Sequence, residues 1–255
     1  MNSRPFQINS YSLTHVGCVR RLNEDRYFAD PKAGVWVVAD GMGGHDAGDL
    51  ASEAIVQGLR DLPDATSAIA LDEQFRERIL RANDHIRRIS VERGNVVIGS
   101  TVVGLLCFGD AYRCIWAGDS RAYLLRGDTL TQLSRDHTEV QDLYDRGMLT
   151  SEEAANYPRK NVITSAIGVA EAPHFDVADG RVQTGDTFLL CSDGLTAHVS
   201  NPEIGEIMAG RRVREICEQL IELALDRGGT DNVTVNAIQF HASKATIPVD
   251  FLEQA

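Results

Sequence analysis

Acidic residues recur along this chain in short motifs, most of them flanked by glycine: Asn23-Glu24-Asp25, Ala39-Asp40-Gly41-Met42-Gly43-Gly44, Gly118-Asp119-Ser120-Arg121, Ser192-Asp193-Gly194 and Gly228-Gly229-Thr230-Asp231-Asn232. Any single Asp-Gly pair reads as a turn in which glycine takes a positive φ. Two of these aspartates, however, directly follow apolar runs, Val37-Val38-Ala39 before Asp40 and Leu189-Leu190-Cys191-Ser192 before Asp193. A carboxylate placed beside a core is costly unless it is paired, hydrogen-bonded or bound to metal. Five such motifs in one chain shift the reading from turns to a metal site. Carboxylates with backbone carbonyls suit Mg²⁺ or Mn²⁺, and the cores of the motifs hold no His or Cys, which disfavours zinc. Two cations held this way can generate hydroxide from a bridging water at neutral pH and stabilise in-line displacement at phosphorus.

The elements that must position these groups are mostly strands. Runs rich in β-branched residues predict strands over about 34–39, 100–108, 112–117, 121–125, 187–191 and 233–240. Helical spacing appears after Leu71, where Phe75, Ile79, Ala82, Ile86 and Ile89 recur every three or four residues, and again over about 46–59 and 212–225. Two helices followed by close-spaced strands with short turns such as Arg126-Gly127-Asp128 argue for antiparallel sheets with helices outside, an α+β layered fold. Residues from about 136 to 168 break the pattern and read as an inserted flap, with a helix start at Thr150-Ser151-Glu152-Glu153 and Asp136 as the cap of the flap's first helix. The stretch from His241 to Ala255 has few apolar residues and is expected to be loosely held.

Composition narrows the function. The chain has 255 residues and a formal net charge of −12, a field that repels nucleic acid and anionic lipid. No window approaches the ~20 apolar residues of a membrane span, and the amino terminus lacks the apolar stretch of a secretory signal, so a cytoplasmic, monomeric protein with no nucleic-acid or membrane partner is expected. No linker or repeat divides the chain; it reads as one catalytic domain over residues 1–242 and a tail over 243–255. The five cysteines form no CxxC pair and read as reduced core residues.

Taken in order, Val19-Arg20-Arg21-Leu22-Asn23-Glu24-Asp25, Asp40-Gly41-Met42-Gly43-Gly44, Gly99-Ser100-Thr101, Ala117-Gly118-Asp119-Ser120-Arg121, Ser192-Asp193-Gly194-Leu195 and Thr230-Asp231-Asn232-Val233 resemble the motifs of the metal-dependent serine/threonine protein phosphatases of type 2C, the PPM family, in its bacterial form. The resemblance covers about residues 8–240. It implies a β-sandwich of two antiparallel sheets flanked by helices, with Mn²⁺ or Mg²⁺ in a cleft at one edge: two core ions and a third, weaker one. By the same resemblance Asp40 bridges both core cations, Asp193 and Asp231 complete one site and the Gly41 carbonyl serves the other. Glu24 and Asp25 act through bound water, and Asn232 orients the nucleophilic water. Arg20 matches the phosphate-binding arginine, and Asp119, with Asp193, the ligand of the weaker cation.

One departure bears on mechanism. Relatives with a histidine after the Asp-Gly use it as general acid, but here that position is Met42, which has no proton to give. His45 and His137 lie near, yet a histidine beside a site is more often a hydrogen-bonded structural residue, and a metal-bound water is the preferred donor. The implied substrates are phosphoserine and phosphothreonine proteins, including a Ser/Thr kinase or its targets. Two alternatives stand beside this reading. A pseudophosphatase acting as a binding module would have lost metal ligands, and no motif aspartate is missing. A partner-switching phosphatase of a regulatory pathway is often fused to a sensor, for which this chain has no room.

Overall fold

The computed structural model describes residues 6–43, 47–159 and 161–243. Two antiparallel sheets lie face to face. One contains β1 (Phe6–His15), β11 (Val233–Ala242), β10 (Thr187–Cys191), β7 (Arg121–Arg126) and β8 (Thr129–Gln132), in that spatial order. The other orders β2 (Asp25–Asp30), β3 (Val35–Gly43), β5 (Val102–Phe108), β6 (Ala111–Ala117) and β9 (Asp176–Arg181), with the short β4 (Ile98–Ser100) on the far half of β3. Helices α1 (Gly48–Gly58) and α2 (Ala68–Glu92) cover the second sheet, while α5 (Asp193–Thr196), α6 (Asn201–Met208) and α7 (Val213–Asp226) cover the first. Helices α3 (Glu139–Asp145) and α4 (Ser151–Ala155) belong to the flap.

Strand alternation divides the apolar residues among three cores. In β3, Val35, Val37 and Ala39 face Phe75, Ile79 and Ile55 of the helices, whereas Trp36 and Val38 face the opposite sheet. In β10, Leu189 and Cys191 meet Ile216 and Leu220 of α7, and Phe188 and Leu190 fill the space between the sheets. Both faces of these strands are buried, which is why they are continuous apolar runs. Helix α2 starts at Ser67, whose side chain accepts from the Ala70 N–H, and it lays Leu71, Phe75, Ile79 and Ile86 on its sheet.

The layered fold agrees with the sequence reading, with several local differences. Strands β1, β2, β8 and β9 were not anticipated. The single strand expected over 100–108 is two, broken at Thr101. The first flap helix is capped by Thr138, which accepts from Gln141 N–H at 3.3 Å; Asp136 instead pairs with Arg121 at 2.6 Å. Cys107, Cys114, Cys191 and Cys217 are buried, but Cys18 is exposed and is no core residue. His241 and Ala242 extend β11, and the rest of the expected tail, from residue 244, lies outside the described residues. No helix among the described residues is long and apolar enough to cross a membrane.

Phe75 is fully buried under the helices, with its ring against Gly104 of β5, and Ile69 of the same helix is 72 % exposed. Phe75→Ala is expected to lower the unfolding free energy by about 3–5 kcal/mol in urea denaturation, and Ile69→Ala by less than about 0.5 kcal/mol. Equal losses would reject the assignment of α2's inner face.

Candidate metal centre

The motif carboxylates converge because each sits where a core strand leaves the sandwich at the same end. β2 and β3 pair in a register that sets Asp25 opposite Asp40. Asp193 follows β10 as the first residue of α5, Asp231 stands two residues before β11, and Asp119 lies in the β6–β7 turn. Gly194 is needed at the crossing point: a Cβ there would lie 1.9 Å from the Asn232 carbonyl, so only glycine lets the Asp193 and Asp231 segments touch. The result is a cleft of ≈ 500 Å³ whose lining includes Asp40, Asp119, Asp193, Asp231, Glu24 and the backbone of Gly41. Arg20, Met42 and Asn232 line it too, and its far wall is the flap segment 163–166. A larger groove of ≈ 790 Å³ runs along the end of α2 past Asp84, Arg87, Arg88 and Glu92, but none of the motif acids reaches it.

Asp25 lies behind the cleft rather than in its wall. It is 1 % exposed, accepts from Ser192 Oγ at 2.7 Å through Oδ2, and has no hydrogen-bond partner at Oδ1. Asp119, 7 % exposed, also has an unpartnered Oδ1. Burial raises the Asp25 carboxyl to about 7 and that of Asp119 to about 8, with neighbouring carboxylates adding to both. Asp40 is pushed well above the usual carboxylate range by burial and then by Asp25, Asp193 and Asp119. Burial and Asp231 raise Asp193, against a hydrogen bond with Asp40. Buried acids with orphaned oxygens and mutual repulsion are what an oxygen-coordinated divalent cation relieves, so these residues fit Mn²⁺ or Mg²⁺.

Three expected site residues have partners that the sequence did not reveal. Glu24 Oε1 accepts the Gly48 N–H at 3.0 Å, tying it to the start of α1. Arg20, with its side chain 51 % exposed at the cleft mouth, donates to Asp231 Oδ2 at 2.7 Å. Asn232, expected to orient water, has its amide engaged by backbone: Oδ1 accepts from Glu24 N–H at 2.7 Å, and Nδ2 donates to the carbonyls of Val16 and Leu22 at 2.8 and 2.9 Å. The structure makes Asn232 the tether of the loop that carries Arg20 and Glu24. Sequence reasoning missed Thr101, Ser120 and Ser192, buried hydroxyls beside the aspartates. Thr101 Oγ1 accepts from Asp40 N–H at 3.1 Å and meets Ser120 Oγ at 2.7 Å. Their only signal was position, next to Ser100, Asp119 and Asp193. Among the described residues no histidine lines the cleft; His137 lies behind it, and His45 is outside the described residues.

These raised carboxyls set a pH dependence for the metal-free protein. An unfolded aspartate releases its proton near 3.9, whereas the folded Asp25 and Asp119 hold theirs to about 7 and 8, so the folded state binds more protons between those limits. Stability of the chelated protein is therefore expected to fall as pH rises from 5 to 8, and Mn²⁺ to raise the melting temperature most at the upper end. Calorimetric scans with chelator and with Mn²⁺ test this; a chelated protein that gains stability toward pH 8 would exclude a repelling cluster.

The sequence family described as Protein phosphatase 2C matches residues 11–142. The serine/threonine protein phosphatase PstP of Mycobacterium tuberculosis is 39 % identical over 221 residues, 86 % of this chain and 42 % of that protein, so the chain spans less than half the length of that relative. The catalytic domain of PstP, solved in complex with two manganese ions, superposes with a TM-score of 0.80 at 35 % identity, covering 92 % of this chain and 98 % of that one. The serine/threonine phosphatase stp of Listeria innocua is 36 % identical over 235 residues, 89 % of this chain and 93 % of its own length. PppA of Pseudomonas aeruginosa, whose structure is described as a key regulatory component of T6SS, superposes with a TM-score of 0.86 at 42 % identity, covering 91 % and 97 %. Layered sandwich, acidic cleft and sequence agree along nearly the whole described length: the chain belongs to the protein phosphatase 2C family.

Proposed function

We propose that this chain is a metal-dependent protein phosphatase that hydrolyses phosphoserine and phosphothreonine on proteins. The observation that carries the reading is the convergence of mutually repelling carboxylates, two of them, Asp25 and Asp119, buried with orphaned oxygens, beneath an arginine at the cleft mouth. Asp40, Asp193, Asp231 and the Gly41 carbonyl would hold two Mn²⁺ or Mg²⁺, with Glu24 and Asp25 in support and Asp119 serving a third, weaker ion. When bound, the ions supply an activated water and neutralise charge on the phosphoryl group.

The remaining work falls to side chains. Arg20 presents a planar fork that grips two phosphate oxygens and turns phosphorus toward the carboxylates. Asn232 keeps that arginine's loop in place through its three backbone contacts. Met42 lines the cleft without a proton to give, so the proton for the leaving serine oxygen would have to come from a water beside Asp119. Segment 163–166 walls the cleft opposite the carboxylates and offers backbone against which a phosphorylated segment of a partner can lie. Substrates of this kind require an opposing Ser/Thr kinase. One chain carries the whole cleft, which suits a monomer acting in the cytoplasm.

Activity on an aryl phosphate and on phosphothreonine peptides is expected to require Mn²⁺ or Mg²⁺ and to vanish with chelator, and Asp40→Asn is expected to lose most of it while staying folded. Full turnover by protein verified to be free of metal would overturn the proposal. Arg20→Ala removes a charge-assisted contact of about 1.5–3 kcal/mol, so kcat/KM on phosphopeptide is expected to drop roughly 10- to 150-fold. Its Mn²⁺ affinity should not weaken, since the substitution also releases Asp231 from its ion pair. Unchanged kinetics would return Arg20 to the ordinary surface.

A further inference from the structure

The turn that carries Asp119 is fastened on every side, while the carboxylate it presents keeps an oxygen with no partner. Ser120 is held by Thr101, and Arg121 forks onto both oxygens of Asp136 at 2.6–3.1 Å. His137 makes the remaining contacts, both to Gly118. Its N–H donates to the Gly118 carbonyl at 2.9 Å, and its Nδ1 accepts the Gly118 N–H at 3.3 Å. Gly118 sits at φ +110°, and a Cβ there would lie 2.6 Å from Thr101, so this backbone has little room to settle elsewhere.

The imidazole can do this in one state only. With the Gly118 N–H aimed at Nδ1, the single proton of the neutral ring belongs on Nε2, which lies 3.0 Å from Asp176 Oδ2 and donates to it. Asp176 Oδ1 is 3.0 Å from His174 Nε2. His137, His174 and Asp176 thus bring ligand-type atoms within 4.8 Å of one another, but His137 offers a proton there and not a lone pair, so the group holds the ring and is not a cation site. His137 is 4 % exposed and does not line the catalytic cleft. Its carbonyl accepts the Thr164 N–H at 2.8 Å, and Thr164 does line the cleft. One residue therefore joins the Asp119 turn to the opposite wall.

We propose that His137 is a positioning residue: through Gly118 it holds the Asp119 carboxylate at the angle that receives the weak third cation, and Asp176 keeps its imidazole turned for that contact. The proposal rests on the reading of Asp119 as a ligand of that ion. Groups of this kind behind a ligand typically alter metal affinity or activity by 10- to 100-fold.

Two substitutions separate the ring's contacts. The shorter amide of His137→Asn would place an acceptor where Nδ1 stands and not reach Asp176; the longer amide of His137→Gln would reach Asp176 and offer no acceptor to Gly118. In calorimetric Mn²⁺ titrations His137→Gln is expected to weaken the weak site about 10-fold or more, as Asp119→Ala does, and His137→Asn by less than about threefold, with the central pair unchanged in both. On phosphothreonine peptide, His137→Gln should lower kcat with KM held, because Arg20 is untouched. Asp176→Ala, at a half-exposed position safe for folding, should weaken the weak site in the same direction. Wild-type weak-site affinity in His137→Gln and Asp176→Ala, or equal damage in His137→Asn and His137→Gln, would overturn the proposal. A wild-type titration identical to that of Asp119→Ala would also overturn it, by taking the third ion from Asp119, and would leave the chelator-sensitive phosphatase reaction standing.

Discussion

Repulsion among buried carboxylates is the constraint around which this molecule is arranged. Asp25 and Asp40 face each other across a strand pair, and Asp193 and Asp119 add their charges to the same space. Burial in a medium that screens poorly makes such charges felt over several ångströms. A core built only to minimise energy would not contain them. The surrounding polar groups are accordingly spent on support: Ser192 on Asp25, Thr101 on the Asp40 backbone, Gly48 on Glu24. What these neighbours leave unsatisfied is specific to a small, hard, doubly charged ion, so stability withheld by the fold is returned when the ion arrives.

The same logic explains how little of the cleft is left to chance. Loop 16–24 has no regular structure of its own beyond its ends, yet Asn232 fixes it through three backbone groups. The flap's base is carried with the β6–β7 turn through His137 and Thr138, whose bridge to Ile163 continues the contact into the cleft wall. Asn83, on the buried face of α2, donates to the Ala170 carbonyl and accepts the Gly168 N–H at 2.7 Å, which pins the segment where the flap returns to the sandwich. The flap is therefore tied to the sandwich by hydrogen bonds at both of its ends.

The parts of the fold legible in sequence were those buried on both sides. Thr187–Cys191 is an unbroken apolar run, and the stripe of Phe75, Ile79 and Ile86 repeats at helical spacing because a flat sheet lies beneath it. The missed strands β1, β2, β8 and β9 are the four sheet edges, where half-exposed segments such as Phe6–His15 and Asp176–Arg181 alternate with polar residues and carry a weak pattern. The aspartates could be read as one site because five acidic motifs, four of them with glycine, repeated the same anomaly. The task of Asn232 could not, since its partners at Val16 and Leu22 are more than two hundred positions away in sequence. Thr101 was hidden for a related reason: its hydroxyl matters only because β3 passes beside it.

Strand β1 pairs along its whole length with β11, from Phe6 opposite Ala242 to His15 opposite Val233. Arg20 and Glu24 follow the first of these strands and Asp231 precedes the second, so the acidic cleft closes between segments about two hundred residues apart in sequence. Synthesis that has reached residue 200 has produced four of the five acidic motifs and no complete cluster. Contacts this remote in sequence form late and slowly. A chain cut before Asp231 therefore lacks both the last acid of the cluster and the strand that seals the sandwich.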